Sequence, residues 1–344
     1  MISETIDSRL RTDRIILILG LTLSLATQML AQPGVLRLGE PVTGALAKDE
    51  VRSFLIGLRS GQFLELALAA EEGTYQFQLF SPDSNEISSA SVASNAAWDS
   101  RLAWVAAVAG NYQVRTQKVS GEAGPFRISV EVLRDSGDGD DTRVAAWGAF
   151  NSAVRLSRGR QREEAKQAAE EYAKASALFH ELDQQGQQAW AESGRCSSLF
   201  RSAGYAEAKD CLSSLLPLWQ EIWNEDQATE ALNGLGTATF LLGDPTAAVA
   251  FLEQGLERSR RFELPNREGT ILNVLGVVYN ALGNSVLELE SLKAGLEIRR
   301  RLGNPGSISG SLNNLGAFHN DRGQYQEAVS FPPRSRGNSP HDWK

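Results

Sequence analysis

The sequence predicts a two-domain protein, a β-sandwich followed by an all-α solenoid, and three observations carry that expectation. Apolar residues alternate with period two between residues 35 and 133, which places alternate side chains on one face of a sheet. A Gly- and Asp-rich segment follows at residues 134–143, and beyond it the apolar spacing turns helical. Within the helical part a unit recurs at a fixed distance, Leu232, Leu272 and Leu312 being 40 residues apart (272 − 232 and 312 − 272). At 344 residues the chain can bury two such cores without a metal or a disulfide framework.

Residues 1–31 read as an export signal. Arg9, Arg11 and Arg14 form a basic start, residues 15–26 carry no charge, and small residues offer cleavage after Ala26, with Ser24 at −3, or after Ala31. An uncleaved anchor is the alternative, and a membrane contact is expected only in that case. The apolar run through Ala31 is interrupted at Thr27 and Gln28 and is short for a hydrocarbon core about 30 Å thick. No Cys lies near the cleavage sites, so a lipid anchor is not expected.

In the strand-like region Phe54, Ile56 and Leu58 alternate with Leu55 and Gly57, and Leu64, Leu66 and Leu68 alternate with Glu65 and Ala67. Tyr75, Phe77 and Leu79 continue the pattern, as do Tyr112 and Val114, then Phe126, Ile128, Val130 and Val132. Turn chemistry at Ser60 and Gly61, at Ser81, Pro82 and Asp83, and at Gly110 and Asn111 separates the runs. Short strands at this spacing build a sandwich or barrel. With Gly44 and Leu46 at its head, Ser60-Gly61-Gln62 after a strand, and Gly110 to Val114 near its end, residues 35–133 resemble the bacterial pre-peptidase C-terminal-like domain, which is jelly-roll-like and accompanies exported proteins.

Residues 134–143 read as an acidic linker, because Gly and Asp resist helix and strand and like charges extend the chain. Asp135, Asp138, Asp140 and Asp141 lack the spacing and the bidentate Glu of a calcium loop, so no metal is assigned there.

Residues 144–330 read as about five helical hairpins. Gly243, Gly283 and Gly323 follow the Leu-Asn-x-Leu-Gly motif at one offset, and Gly204 and Gly159 mark degenerate copies upstream. Each hairpin is expected to turn at its glycine, where left-handed backbone is easy only for Gly. Gly236, Gly276 and Gly316 fall inside the first helices, where Gly costs about 1 kcal/mol relative to Ala, so a partner helix is expected to pack too close for a side chain. With a ring at Tyr279 and small residues at Ala248 and Ala328, these units resemble tetratricopeptide repeats of the kinesin-light-chain-like class. Thr239 and His319 stand where that class has an aromatic, and Glu288 where it has a small residue.

The resemblance implies that the first helices line a concave, partner-binding groove. Asn233, Asn273 and Asn313 recur at one first-helix position, and Asn280 and Asn320 at another. An amide offers both a donor and an acceptor, so a column of them is expected to bond the backbone of an extended protein or peptide partner. Nucleic acid is not expected, since the net charge is −8 and no basic stripe interrupts it. No cofactor is expected either.

Other features read as structural. Arg258, Arg260 and Arg261, and Arg299 to Arg301, sit where cations meet the negative ends of helices. Trp190, Trp219 and Trp223 are expected to fill seams between repeats. Cys196 and Cys211 are read as two buried core residues, with a bridge requiring that they face each other across a hairpin. Catalysis has little support: His180, His319 and His341 are the only histidines, and neither a phosphate loop nor a nucleophile elbow occurs, so the chain is not read as an enzyme.

At residues 331–344 Pro332 and Pro333 end the fifth hairpin, and the tail reads as irregular, as a truncation would leave it. The expected function is an exported protein-interaction scaffold. Two alternatives are the regulatory front part of a CHAT-type, caspase-like protease, which the domain order resembles, and an envelope adhesion module.

Overall fold

The computed structural model describes residues 33–93 and 100–330. The expected export signal at residues 1–31, the tail at residues 331–344 and His341 lie outside the described residues. Nine strands precede ten helices among those described: β1 (Gly34–Val35), β2 (Val42–Leu46), β3 (Val51–Leu58), β4 (Gln62–Ala70), β5 (Thr74–Phe80), β6 (Glu86–Ala93), β7 (Ser100–Val105), β8 (Gly110–Ser120) and β9 (Gly124–Asp135). One sheet runs β1-β3-β8-β5-β6 and the other β2-β9-β4-β7. The two pack face to face as a sandwich.

The alternation read from the sequence is the inside of this sandwich. Phe54, Ile56 and Leu58, Leu64, Leu66 and Leu68, Tyr75, Phe77 and Leu79, and Phe126, Ile128 and Val130 all join one buried cluster. Each such side chain contributes about 1.5–3 kcal/mol on leaving water. β6 and β7 escaped the sequence reading because serines and alanines weaken the alternation there.

The helices are α1 (Asp140–Leu156), α2 (Arg162–Glu181), α3 (Gln185–Arg201), α4 (Tyr205–Glu221), α5 (Glu225–Leu241), α6 (Pro245–Arg261), α7 (Pro265–Ala281), α8 (Ser285–Leu302), α9 (Pro305–Asp321) and α10 (Tyr325–Val329). They pair as five hairpins, α1 with α2 through α9 with α10. None of the described helices is long and apolar enough to cross a membrane.

The acidic linker expected at residues 134–143 is far shorter. β9 runs to Asp135 and α1 starts at Asp140, and the bend between them is tied rather than extended. Asp140 is 1% exposed and accepts from Arg134 Nη1 at 2.6 Å, Arg134 Nη2 at 2.8 Å, Arg143 Nη1 at 3.2 Å and the Gly137 N–H at 2.8 Å. Composition misread it because arginines on either side supply the counter-charges that a run of aspartates alone would lack. The same contacts lay α1 against the outer face of β4 and β7. Phe63 and Ala103 there pack with Trp147, Phe150 and Phe179 of the first hairpin, the Trp147 and Phe179 rings 5.0 Å apart edge to face. Glu65, on the face opposite Leu64 and Leu66, is buried beneath Arg101 and Arg143.

In the solenoid the helices end on left-handed residues at a constant interval of 20: Asp183, Ala203, Trp223, Gly243, Glu263, Gly283, Gly303 and Gly323 all have positive φ, between 53° and 91°. Except after Gly303, the residue following each left-handed turn donates its N–H back five positions, as Asn224 does to Trp219 at 2.9 Å and Asn284 to Tyr279 at 2.9 Å. That residue then caps the next helix where its side chain allows, as Asn224, Asp244, Asn284 and Asn304 do. The second hairpin therefore keeps the 40-residue register, with Ala203 at the left-handed position and not Gly204, whose φ is −83°. It looked degenerate because glycine marks only half of these turns.

Gly236 and Gly276 behave as expected. A Cβ on Gly236 would lie 2.5 Å from Leu252 Cγ, and one on Gly276 2.5 Å from Leu292 Cδ2. Glu288, at the position expected to be small, is 3% exposed and is held by Arg322 at 2.8 Å and Asn280 at 2.9 Å.

Two further expectations need correcting. Cys196 and Cys211 are buried but bonded to each other, their Cα atoms 5.5 Å apart across the α3–α4 hairpin. Trp219 fills a seam, its ring 4.8 Å from Trp190, whereas Trp223 is 84% exposed. As a left-handed turn residue Trp223 leaves the helical spacing that would have kept it on the face of Trp219.

Candidate functional site

The front of the solenoid carries a groove of about 660 Å³ bounded by the end of α1 and by α2 to α5. Tyr172, Trp190, Phe200 and Leu212 form its apolar side, and Gln227, Glu230, Asn233 and Thr237 of α5 its polar side. Two missing side chains shape it. A Cβ on Gly194 would lie 2.5 Å from Tyr172 ring atoms, and one on Gly234 2.8 Å from Leu212 Cδ1, so both side chains rest on bare helix backbone. These glycines are themselves 40 apart (234 − 194). Arg201 closes one end by donating to the Ser157 and Gly159 carbonyls, which the end of α1 leaves without helical donors.

Asn233 is the one predicted site residue that lines this groove. It is 8% exposed, and its Oδ1 meets no hydrogen-bond donor. Glu230, one turn earlier and half-buried, has its carboxyl pushed above the ordinary range by burial, an effect only partly offset by Arg267 of α7, which donates to it at 2.5 Å. Arg267 also grips Asp226 at 2.8 and 2.7 Å, and that bond holds the Asp226 carboxyl below its ordinary range. This clamp joins the third and fourth first helices, α5 and α7, along the inner face.

The structure does not give the other asparagines the same surroundings. Asn273 Oδ1 accepts from Ser311 Oγ at 3.3 Å and Asn314 Nδ2 at 3.1 Å, a seam between α7 and α9. Asn280 donates to Glu288, and Asn313 and Asn320 are exposed. The offset arises because the next first helix brings Ile271 and Val274 to the positions that Ser311 and Asn314 hold against Asn273, and neither can donate to Asn233. Gly194 and Gly234 were missed by sequence reasoning, although their 40-residue spacing was the available signal.

One or more arginines of each cluster are tied into the fold. Arg258 pairs with Glu225, Arg260 with Glu268 at 2.8 Å, and Arg299 donates to Ser311 Oγ at 2.8 Å. His180 contacts Gln188 and His319 contacts Gln324, and the Cys196 sulfur is occupied by its disulfide. The Asn233 side chain also bonds Glu230 and its Oδ1 is covered, so the groove can accept a donor at Glu230, at Asn233 once its amide turns Oδ1 outward, and an apolar group against its rings.

These paired helices stacked on a 40-residue step define an α-solenoid of the tetratricopeptide kind, and the comparison with known families agrees. The tetratricopeptide repeat profile matches residues 229–261 and 309–331, so the chain carries tetratricopeptide repeats. Among solved structures, aspartyl phosphate phosphatase F from Bacillus subtilis is similar in fold, with a TM-score of 0.51 at 13% identity over 56% of this chain and 50% of that one. BtubC (BKLC) from P. vanneervenii has a TM-score of 0.42 at 19% identity over 59% of this chain and 98% of that one. A Podosopora anserina kinesin light chain with nearly identical TPR-like repeats has 0.43 at 17% identity over 55% and 92%. No curated protein sequence matches the chain.

Proposed function

We propose that the chain is an exported protein-interaction scaffold that acts by binding and not by catalysis, and that its partner is a peptide segment seated in the groove across α2, α3 and α5. Asn233 carries this reading. A buried polar atom without a partner costs about 1–3 kcal/mol, and a backbone N–H of a ligand lying in the groove relieves it when the Asn233 amide turns its Oδ1 toward the ligand. The aromatic side of the groove offers a seat for an apolar side chain of the same ligand, and Glu230 a second acceptor. Export is supported by the Cys196–Cys211 disulfide, since such bonds persist in oxidising compartments, and by the pattern of residues 1–31. The sandwich is read with it as a pre-peptidase C-terminal-like domain.

The test is selection of binders from a random peptide library on the full chain. Selected peptides should lose at least tenfold in affinity on Asn233→Ala and keep it on Asn313→Ala, a residue outside the groove. Binders indifferent to Asn233→Ala, or equally sensitive to both changes, would overturn the assignment.

A further inference from the structure

A second cleft, of about 500 Å³, lies where the outer face of the β5–β6 edge of the sandwich meets the flank of α1. Gln76, Ser89 and Ser91 stand on its sheet side, and Ser152, Arg155 and Arg158 on its helix side. Gly148 opens its middle, because a Cβ there would meet nothing within 4 Å. No carboxylate of the described residues lines it. Around it, Arg101, Arg134 and Arg143 are all spent on Glu65 and Asp140. Among the described residues Arg155 and Arg158 form no ion pair: Arg155 reaches Ser152 Oγ at 3.4 Å, and Arg158 bonds the Oγ of Ser91 and, at 3.2 Å, its carbonyl. Burial lowers the Arg158 guanidinium below its ordinary value, Tyr172 offsetting only part of this.

Each guanidinium has five N–H donors in a planar fork suited to an oxyanion, and most of these remain unused. The rest of the wall alternates hydroxyl and amide groups, which both donate and accept, with the apolar surfaces of Ile87, Ala90 and Val119, a mixture that suits the polar edge and apolar face of a sugar ring. We propose that this cleft binds an acidic carbohydrate, its carboxylate or sulfate held by Arg155 and Arg158 and its hydroxyls by Gln76, Ser89 and Ser152. The volume suits one or two sugar rings. This binding is independent of the solenoid groove.

The test titrates the full chain by calorimetry with a hyaluronan disaccharide, a chondroitin sulfate disaccharide, cellobiose, inorganic sulfate and a phosphoserine peptide. One or both acidic sugars should bind, the stronger of them identifying the anion, at least tenfold more tightly than cellobiose or sulfate and less tightly as salt rises. Arg155→Gln should weaken that binding at least tenfold while leaving the bonds of Arg158 to β6 in place. Gly148→Phe should abolish it by filling the cleft from a position that is open in the helix. Both variants should keep the wild-type near-ultraviolet circular dichroism. Equal binding of cellobiose, sulfate binding as tightly as the sugars, tighter binding of a phosphoserine peptide, no binding at all, or full binding by a folded Gly148→Phe would each overturn the proposal.

Discussion

Replacing a helical glycine with alanine should have opposite signs at two sites in this protein. At Gly148 the new methyl meets nothing within 4 Å, so Gly148→Ala should gain the full helix-propensity difference, about 1 kcal/mol. At Gly236 the same gain competes with a clash. The methyl would stand 2.5 Å from Cγ and 2.8 Å from Cδ2 of Leu252, which is 0% exposed, and 3.2 Å from the Ala248 carbonyl. Leu252 has no vacant direction in which to retreat, and forcing extra methylenes into a packed seam costs about 1–3 kcal/mol, occasionally more. Since the carbonyl belongs to the backbone of α6, relief requires the two helices to separate, which places the clash at the upper end of that range. The net result for Gly236→Ala is therefore a loss of about 1–2 kcal/mol. Repeat arrays unfold unit by unit, so the measurement should combine urea denaturation with hydrogen exchange resolved by helix. Faster exchange should be confined to α5 and α6 in Gly236→Ala, and slower exchange to α1 in Gly148→Ala. A Gly236→Ala protein as stable as the wild type would refute the close-approach explanation for the recurring glycine.

Two other outcomes follow from the junction and the disulfide. Asp140→Ala should destabilise the sandwich–solenoid junction by about 2 kcal/mol, since it strips charge-assisted bonds from Arg134 and Arg143, which are exposed enough to rehydrate in part. Burial opposes the ionised form of Asp140, but Arg134, the Gly137 N–H and Arg143 outweigh it, so the folded carboxyl lies below its ordinary value. Its contribution is present above the unfolded value of about 3.9 and disappears as pH falls through the lower folded value; the variant should lack this acid-dependent step in a pH series of melts. Replacing Cys196 and Cys211 together with Ser should cost about 3 kcal/mol, from the 15-residue separation that the bond closes, with the loss localised to α3 and α4 by hydrogen exchange. A uniform loss along the whole solenoid would contradict the local role.

The groove was legible only in part. Asn233 was found because its amide recurs at 273 and 313, but recurrence in sequence did not mean recurrence of surroundings. What each amide meets depends on the residues that the following unit presents, and those vary from Ile271 and Val274 to Ser311 and Asn314. The glycines at 194 and 234 make the groove through what they lack, and an absent side chain leaves little pattern to read.

By itself the sequence determined the two periodicities, 2 and then 3.6 with a 40-residue repeat, because the side-chain positions of strands and helices are local consequences of backbone geometry. It also determined the close seams at Gly236 and Gly276, where only a packing demand explains the residue. Tertiary structure alone decided the rest. It turned an acidic stretch into a clamp by bringing Arg134 and Arg143 onto Asp140, and joined Cys196 to Cys211 across a hairpin. It put left-handed backbone at Asp183, Ala203, Trp223 and Glu263, where the strain of about 1 kcal/mol is outweighed by the packing of the helices on either side. Each of these depends on which groups meet across long stretches of chain, and that is fixed only when the layers pack.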